Sequence, residues 1–227
     1  MDGFVLSRMV GDFIFGFGTL FAIINPYGLA FVFLDRTVGL SEAERRRIAK
    51  RIAINALIVL LVSLFAGSAI LRFFGISLPA LRIAGGLVVA HAGWTMLNEV
   101  PNDGGRSSRA TGNYESVRRA AFFPLTIPLT TGPGTIAAAI ALGAVRSSEA
   151  ESFLLSSIVS LFVAVAIALT ILNAYGGASF LARVVGAEGT RVVTRLSAFL
   201  LLCVGVEIML IGTTDALRPL LALRQGG

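Results

Sequence analysis

Apolar residues run along the chain in six long blocks separated by short polar stretches. The blocks cover about 13–34, 52–71, 78–98, 121–145, 153–175 and 193–213, each within the roughly 17–25 residues that an α-helix needs to cross a bilayer. The pattern predicts an all-α membrane protein with six transmembrane helices. Two blocks are interrupted. Asn25-Pro26-Tyr27-Gly28 lies near the middle of the first, and Pro124, Pro128 and Gly132-Pro133-Gly134 fall in the fourth. Proline lacks an N–H and clashes with the preceding turn, so helices 1 and 4 are expected to be broken near the midplane. In hydrocarbon, opened backbone persists only where protein covers it or where it lines a cavity, which makes paired interruptions a pointer to a binding site. Prolines that merely kink helices for packing would account for one interruption better than for two.

The one stretch with the composition of a linker is 101–113, rich in Gly, Ser and Asn. It divides a single membrane domain, 1–227, into 1–100 and 114–227, with three blocks in each half. Because three is odd, a repeat between the halves must insert with opposite orientation, giving an inverted 3+3 repeat. Weak internal matches support it: Asn25-Pro26 with Gly132-Pro133, Val62-Ser63-Leu64-Phe65 with Val159-Ser160-Leu161-Phe162, and Arg82, Met96 and Leu97 with Arg195, Met209 and Leu210.

Composition agrees with the block pattern. Hydrophobic residues make up 56% of the 227 and the mean hydropathy is +0.84, beyond the range of soluble domains. The first block is too long for the apolar region of a cleaved signal and holds Asn25. The pI near 10.6 reflects topology rather than nucleic acid, since the basic residues cluster in loops. Thirteen of the nineteen lie on one side of the membrane, among them Arg36, Arg45, Arg46, Arg47, Lys50 and Arg51. The positive-inside rule makes that side cytoplasmic and places both termini outside. Ser41-Glu42-Ala43-Glu44 has the capping-box form and starts the second helix in the cytosol, with Glu42 placed to pair with Arg46. Small residues at helical spacing predict packing faces: Asn55, Ala56, Ser63 and Gly67; Gly86, Ala90 and Gly93; Ser156, Ser160, Ala164 and Ala168.

The chemistry available at the two interruptions is mostly main-chain chemistry. Asn25 is a good N-cap and Pro26 suits a first helical position; Thr131 or Gly132 can cap a half-helix that starts at Pro133. Two half-helices of opposite direction would then aim free N–H groups and positive dipole ends at one central site, which suits a carboxylate. Free carbonyls of the preceding segments, with Thr126, Thr130, Thr131, Thr135 and Asn25, offer partners for an ammonium group. No Arg or Asp is expected at that depth, so a small neutral amino acid is the predicted ligand. The substrate-binding residues expected are Asn25, Pro26, Gly28, Thr130, Thr131, Gly132, Pro133, Gly134 and Thr135. Glu207, the innermost carboxylate, is the candidate to carry a coupling proton, the alternative being a neutral acid bonded to a neighbouring helix. His91 lacks ligand partners, so no metal site or cofactor is expected, and the lone Cys203 forms no intrachain disulfide. No nucleophile–base pair or H-E-x-x-H motif points to an enzyme.

The runs Phe21-Ala22-Ile23-Ile24-Asn25-Pro26-Tyr27-Gly28 and Phe123-Pro124-Leu125-Thr126-Ile127-Pro128-Leu129-Thr130-Thr131-Gly132-Pro133-Gly134-Thr135-Ile136, with Arg82-Ile83-Ala84-Gly85-Gly86, resemble the MarC family over nearly the whole chain. The resemblance implies a prokaryotic inner-membrane protein, grouped with transporters of neutral amino acids such as glycine and alanine and distantly with LysE-type exporters. The expected function is therefore secondary transport of such amino acids by alternating access, with protons as the candidate coupling ion. An exporter of another small solute or ion, and a structural or regulatory membrane protein, are the alternatives.

Overall fold

The computed structural model describes residues 2–98, 114–144 and 150–225. The linker 101–113, with Arg106 and Arg109, and Arg146 lie outside the described residues. Helix α1 (Asp2–Ile24) stops one residue before α2 (Pro26–Arg36), and α3 (Glu42–Phe73) and α4 (Leu78–Asn98) follow. A short α5 (Tyr114–Ala120) leads to a π-helical turn at Leu125–Thr130, then α6 (Pro133–Ala144), α7 (Ala150–Gly176) and α8 (Ala178–Gln225). No strand occurs among the described residues.

Among the described residues, five helices are long and apolar enough to cross a membrane: Val5–Arg36 (α1 with α2), Glu42–Phe73, Leu78–Asn98, Phe153–Gly176 and Arg195–Arg218. The fourth apolar block differs from its expectation. Among the described residues of that block only the 12 of α6 form an α-helix, about 18 Å at 1.5 Å per residue. Its first half leaves regular geometry, because Pro128 sits inside the π turn and Ile127 is extended at φ −112°, ψ 125°. The opening expected at Gly132-Pro133-Gly134 thus reaches back to Ala121.

The helices pack in a closed ring. α3 lies against α7, α7 against α2, α2 against α8, α8 against α4, α4 against α6, and α6 against α3. α1 rests on α7 and α6, and the π turn rests on α3 and α2. Small residues set these approaches, since lipid removes the hydrophobic drive between helices and leaves close packing. Gly86, Ala90 and Gly93 face α8 as their spacing predicts: a Cβ on Gly86 would lie 2.6 Å from Gly205 O, and one on Gly93 2.5 Å from Leu202 N. On α3, Ala56, Ser63 and Gly67 are buried, and Asn55 Nδ2 donates to Thr126 Oγ1 at 3.4 Å. On α7, Ala164 and Ala168 are buried while Ser156 and Ser160 are partly so.

Ser41 caps α3 through the predicted capping box: its hydroxyl accepts from Glu44 N at 3.3 Å, and Glu44 Oε2 accepts from Ser41 N at 2.9 Å. Glu42 reaches Arg183 of α8 at 3.5 Å rather than Arg46. Arg45 is more than a topology signal. It donates to Thr37 Oγ1 (3.1 Å), Leu40 O (3.2 Å) and Ser179 Oγ, tying the α2–α3 turn to the start of α8. At the opposite end, Arg82 of α4 pairs with Asp215 of α8.

Candidate functional site

The two helix starts are built differently. At α2, Asn25 takes the left-handed conformation (φ 45°, ψ 59°), and its side chain accepts from Gly28 N at 3.3 Å. Pro26 is the first helical residue, where its missing N–H costs nothing. Gly28 lies flush on α8: a Cβ there would be 2.5 Å from Ser197 Oγ and 2.8 Å from Asn25 Cγ. At α6, Pro133 again opens the helix, but the residue before it is Gly132, which has no side chain to cap with. Ile136 N donates to Gly132 O at 3.0 Å, leaving the N–H groups of Gly134 and Thr135 at the positive end of the dipole.

Beside this second start lies a cavity of about 230 Å³. Ile23 at the end of α1, Val88, Val89 and Ala92 of α4, Leu201 of α8, the π turn, and Gly132, Pro133 and Thr135 line it. Thr135 is only 2% exposed, lines the cavity, and makes no side-chain hydrogen bond among the described residues. The other threonines are already engaged. Thr126, Thr130 and Thr131 donate back to Ala121 O (2.7 Å), Leu125 O (2.7 Å) and Thr126 O (3.2 Å). The carbonyls of Ala121 and Thr126 also accept the main-chain N–H groups of Thr126 and Thr131 (3.1 and 2.8 Å), so these hydroxyls add a second bond to the π turn.

Of the residues expected from sequence, Thr130, Gly132, Pro133 and Thr135 border the cavity. Thr131 turns to its own backbone, and Gly134 packs on Val89 and Ile208. Asn25, Pro26 and Gly28 begin α2 as expected, yet Ile23, not they, contacts the cavity. Glu207 is exposed. Gly205 and Met209, two positions to either side, face α4, so its carboxylate points away from the cavity. His91 is exposed on α4, and no group of three metal-ligating side chains forms among the described residues.

Two contributors escaped the sequence reading. Arg36, exposed in the last turn of α2, lines the cavity at the end of that helix, away from the Asn25 break. Tyr175, near the end of α7, is fully buried; its ring stacks on Phe33 at 4.8 Å and its hydroxyl meets Thr130 Oγ1 at 2.9 Å. A lone Tyr closing an apolar span is a usable signal, since a buried phenol needs a partner. The chain links α2, α7 and the π turn. A second hollow of about 280 Å³, lined by Ser68, Arg72, Ser77 and Ile140 among others, holds none of the expected residues.

The family described as "MarC family integral membrane protein" matches residues 10–217. The "UPF0056 inner membrane protein MarC" of Escherichia coli O1:K1 / APEC is 30% identical over 208 residues, 89% of this chain and 94% of that protein. The "UPF0056 membrane protein MJ1677" of Methanocaldococcus jannaschii is 33% identical over 205 residues, 90% of this chain and 97% of its own. No solved structure matches significantly. Matched along almost all of its length and by relatives spanned nearly end to end, the chain belongs to the MarC family of integral membrane proteins.

Proposed function

We propose that this protein is a secondary transporter of small neutral amino acids, glycine- or alanine-like, in the inner membrane named for its bacterial relatives, with both termini outside. The observation that carries this reading is Thr135: a largely buried residue on the cavity lining, at the uncapped N-terminus of α6, whose hydroxyl makes no hydrogen bond among the described residues. A carboxylate would accept from that hydroxyl and from the N–H groups of Gly134 and Thr135, filling the capping role that Asn25 performs for α2. Arg36 adds positive charge to the same lining. The volume, below the roughly 300–1,000 Å³ typical of drug-sized sites, favours a small solute.

The inverted 3+3 repeat is supported by the packing. Exchanging α3 with α7, α4 with α8, α2 with α6, and α1 with the π turn turns every contact of the ring into another contact of the ring. Two halves related in this way can rock about a central site. The reading gives Glu207 no part in coupling, because it points away from the cavity; transport across a pH gradient should be unchanged by Glu207→Gln.

Counterflow of labelled alanine or glycine in proteoliposomes tests the proposal. Thr135→Val keeps the shape and removes the hydroxyl; losing a hydrogen bond to a charged ligand should weaken apparent affinity about tenfold or more. Counterflow with neither amino acid, or a valine variant with unaltered affinity, would refute it. Counterflow of a different small solute would keep the cavity and change the cargo.

A further inference from the structure

Arg72 stands in the last turn of α3, where an arginine ordinarily bonds the final carbonyls of its own helix. Here that task is already done by main chain. The helix closes on Gly75, left-handed at φ 66°, and the carbonyls of Ile70, Leu71 and Arg72 accept from Phe74 N (3.2 Å), Ile76 N (2.9 Å) and Gly75 N (3.1 Å). Arg82, at the same end of the molecule, is held by Asp215. The Arg72 guanidinium makes no hydrogen bond or ion pair among the described residues. Arg72 instead lines the hollow of about 280 Å³ beside the α3–α4 turn.

Two hydroxyls share that hollow. Ser68, one turn back on the same face of α3, is partly buried, and its Oγ makes no hydrogen bond among the described residues. Ser77 Oγ accepts from Ala80 N at 3.3 Å as α4 begins, which leaves its O–H to donate elsewhere. Leu71 and Ile140 add apolar wall, and no carboxylate belongs to the described lining. A planar fork of N–H donors with two hydroxyls beside it suits a tetrahedral oxyanion. The rim indicates the source of that anion. Phe73, Phe74 and Ile76 are 85%, 66% and 43% exposed, at the end of a membrane span that closes on Phe73. An uncovered apolar edge of this size at the membrane boundary is matched by acyl chains.

We propose that this hollow seats the phosphate of a membrane phospholipid, with Arg72, Ser68 and Ser77 donating to its oxygens and the tails lying over Phe73 and Phe74. On the orientation proposed above, the lipid belongs to the outer leaflet. The site shares no lining residue with the cavity at Thr135 and does not rest on the transport reading.

Native mass spectrometry of the delipidated protein in detergent tests it, with phosphatidylglycerol, diacylglycerol or inorganic phosphate added. The parent should retain phosphatidylglycerol and not diacylglycerol, which has the tails without the phosphate. Arg72→Gln should bind phosphatidylglycerol about tenfold more weakly, as the loss of a charge-assisted contact implies. Arg47→Gln, an exposed arginine at the other end of α3, should bind it like the parent. Ser68→Leu fills the hollow and leaves the charge in place; it should weaken binding too, and serves if the glutamine variant does not fold. Unaltered affinity in the Arg72 and Ser68 variants, an equal loss in Arg47→Gln, or equal retention of diacylglycerol would overturn the proposal. Displacement of the lipid by inorganic phosphate at equal concentration would overturn it as well, since the occupant would then be a soluble anion.

Discussion

Gly205→Ala and Gly18→Ala are the same chemical change and should have opposite effects. At Gly205 a Cβ would strike the backbone N of Ala90 and lie 2.7 Å from its Cα and 2.8 Å from its Cβ. Backbone cannot rotate aside as a flexible side chain can, so α4 and α8 must separate. Their contact is the most extensive between helices among the described residues. Overpacking of this kind costs about 1–3 kcal/mol, and the backbone clash argues for the upper end. Alanine recovers about 1 kcal/mol of helix propensity over glycine, leaving a net loss near 2 kcal/mol. For a chain of this size, about 2–4 °C per kcal/mol converts that to a melting temperature lower by about 4–8 °C. Gly18 has nothing within 4 Å of its added Cβ, so only the propensity gain remains, raising the midpoint by roughly 1–4 °C. Thermal unfolding of the purified protein in detergent, followed by intrinsic fluorescence or far-UV circular dichroism, measures both. Shifts of the same sign, or a Gly205→Ala variant as stable as the parent, would refute the close-packed account of the α4–α8 contact.

Three further outcomes follow from the geometry. Asn25→Ala loses the cap and the local side-chain bonding that lets asparagine hold the left-handed region, so it should destabilise by about 2 kcal/mol, whereas Asn25→Gly should cost a few tenths; unfolding midpoints separate the two. Tyr175→Phe removes the bond to Thr130, whose hydroxyl keeps Leu125 O, and should cost about 1 kcal/mol; Tyr175→Ala should cost about 3–5 kcal/mol and abolish counterflow with the loss of the contact to the π turn. A double-mutant cycle on Arg82 and Asp215, whose side chains are 21% and 24% exposed, should give a coupling near 1 kcal/mol that falls with added salt.

Much of the backbone plan was legible because caps and prolines act locally. Asn25-Pro26, Pro133 and the Ser41–Glu44 capping box announce helix starts in any solvent. The glycine face of α4 was legible for a similar reason, since close approach needs small residues wherever it occurs. Which face of a helix turns inward was harder to read, because lipid tails and protein interior are equally apolar and leave no polar side to mark the outside. The Val62–Phe65 and Val159–Phe162 match illustrates this: Leu64 is 3% exposed and Leu161 46%, so identical letters occupy unlike settings. Glu207 misled in the same way, as depth along the sequence says nothing about direction around the helix. Thr135 could be named but not ranked above Thr130 and Thr131, because only the π turn's carbonyls reveal which hydroxyls are already engaged.

The brevity of α6 bears on how the protein is made. A helix of about 18 Å cannot bridge the roughly 30 Å hydrocarbon layer unaided, and the irregular segment before it, with Ile127 extended and Pro128 inside the π turn, is backbone that is tolerated at that depth only where protein covers it. Residues 121–144 must therefore settle against α3 and α4, which emerge earlier from the ribosome, instead of partitioning alone. Biogenesis is sequential by necessity: the first half acts as a template, and a nascent chain with a defective α3 or α4 would leave the later segment without a seat in the membrane.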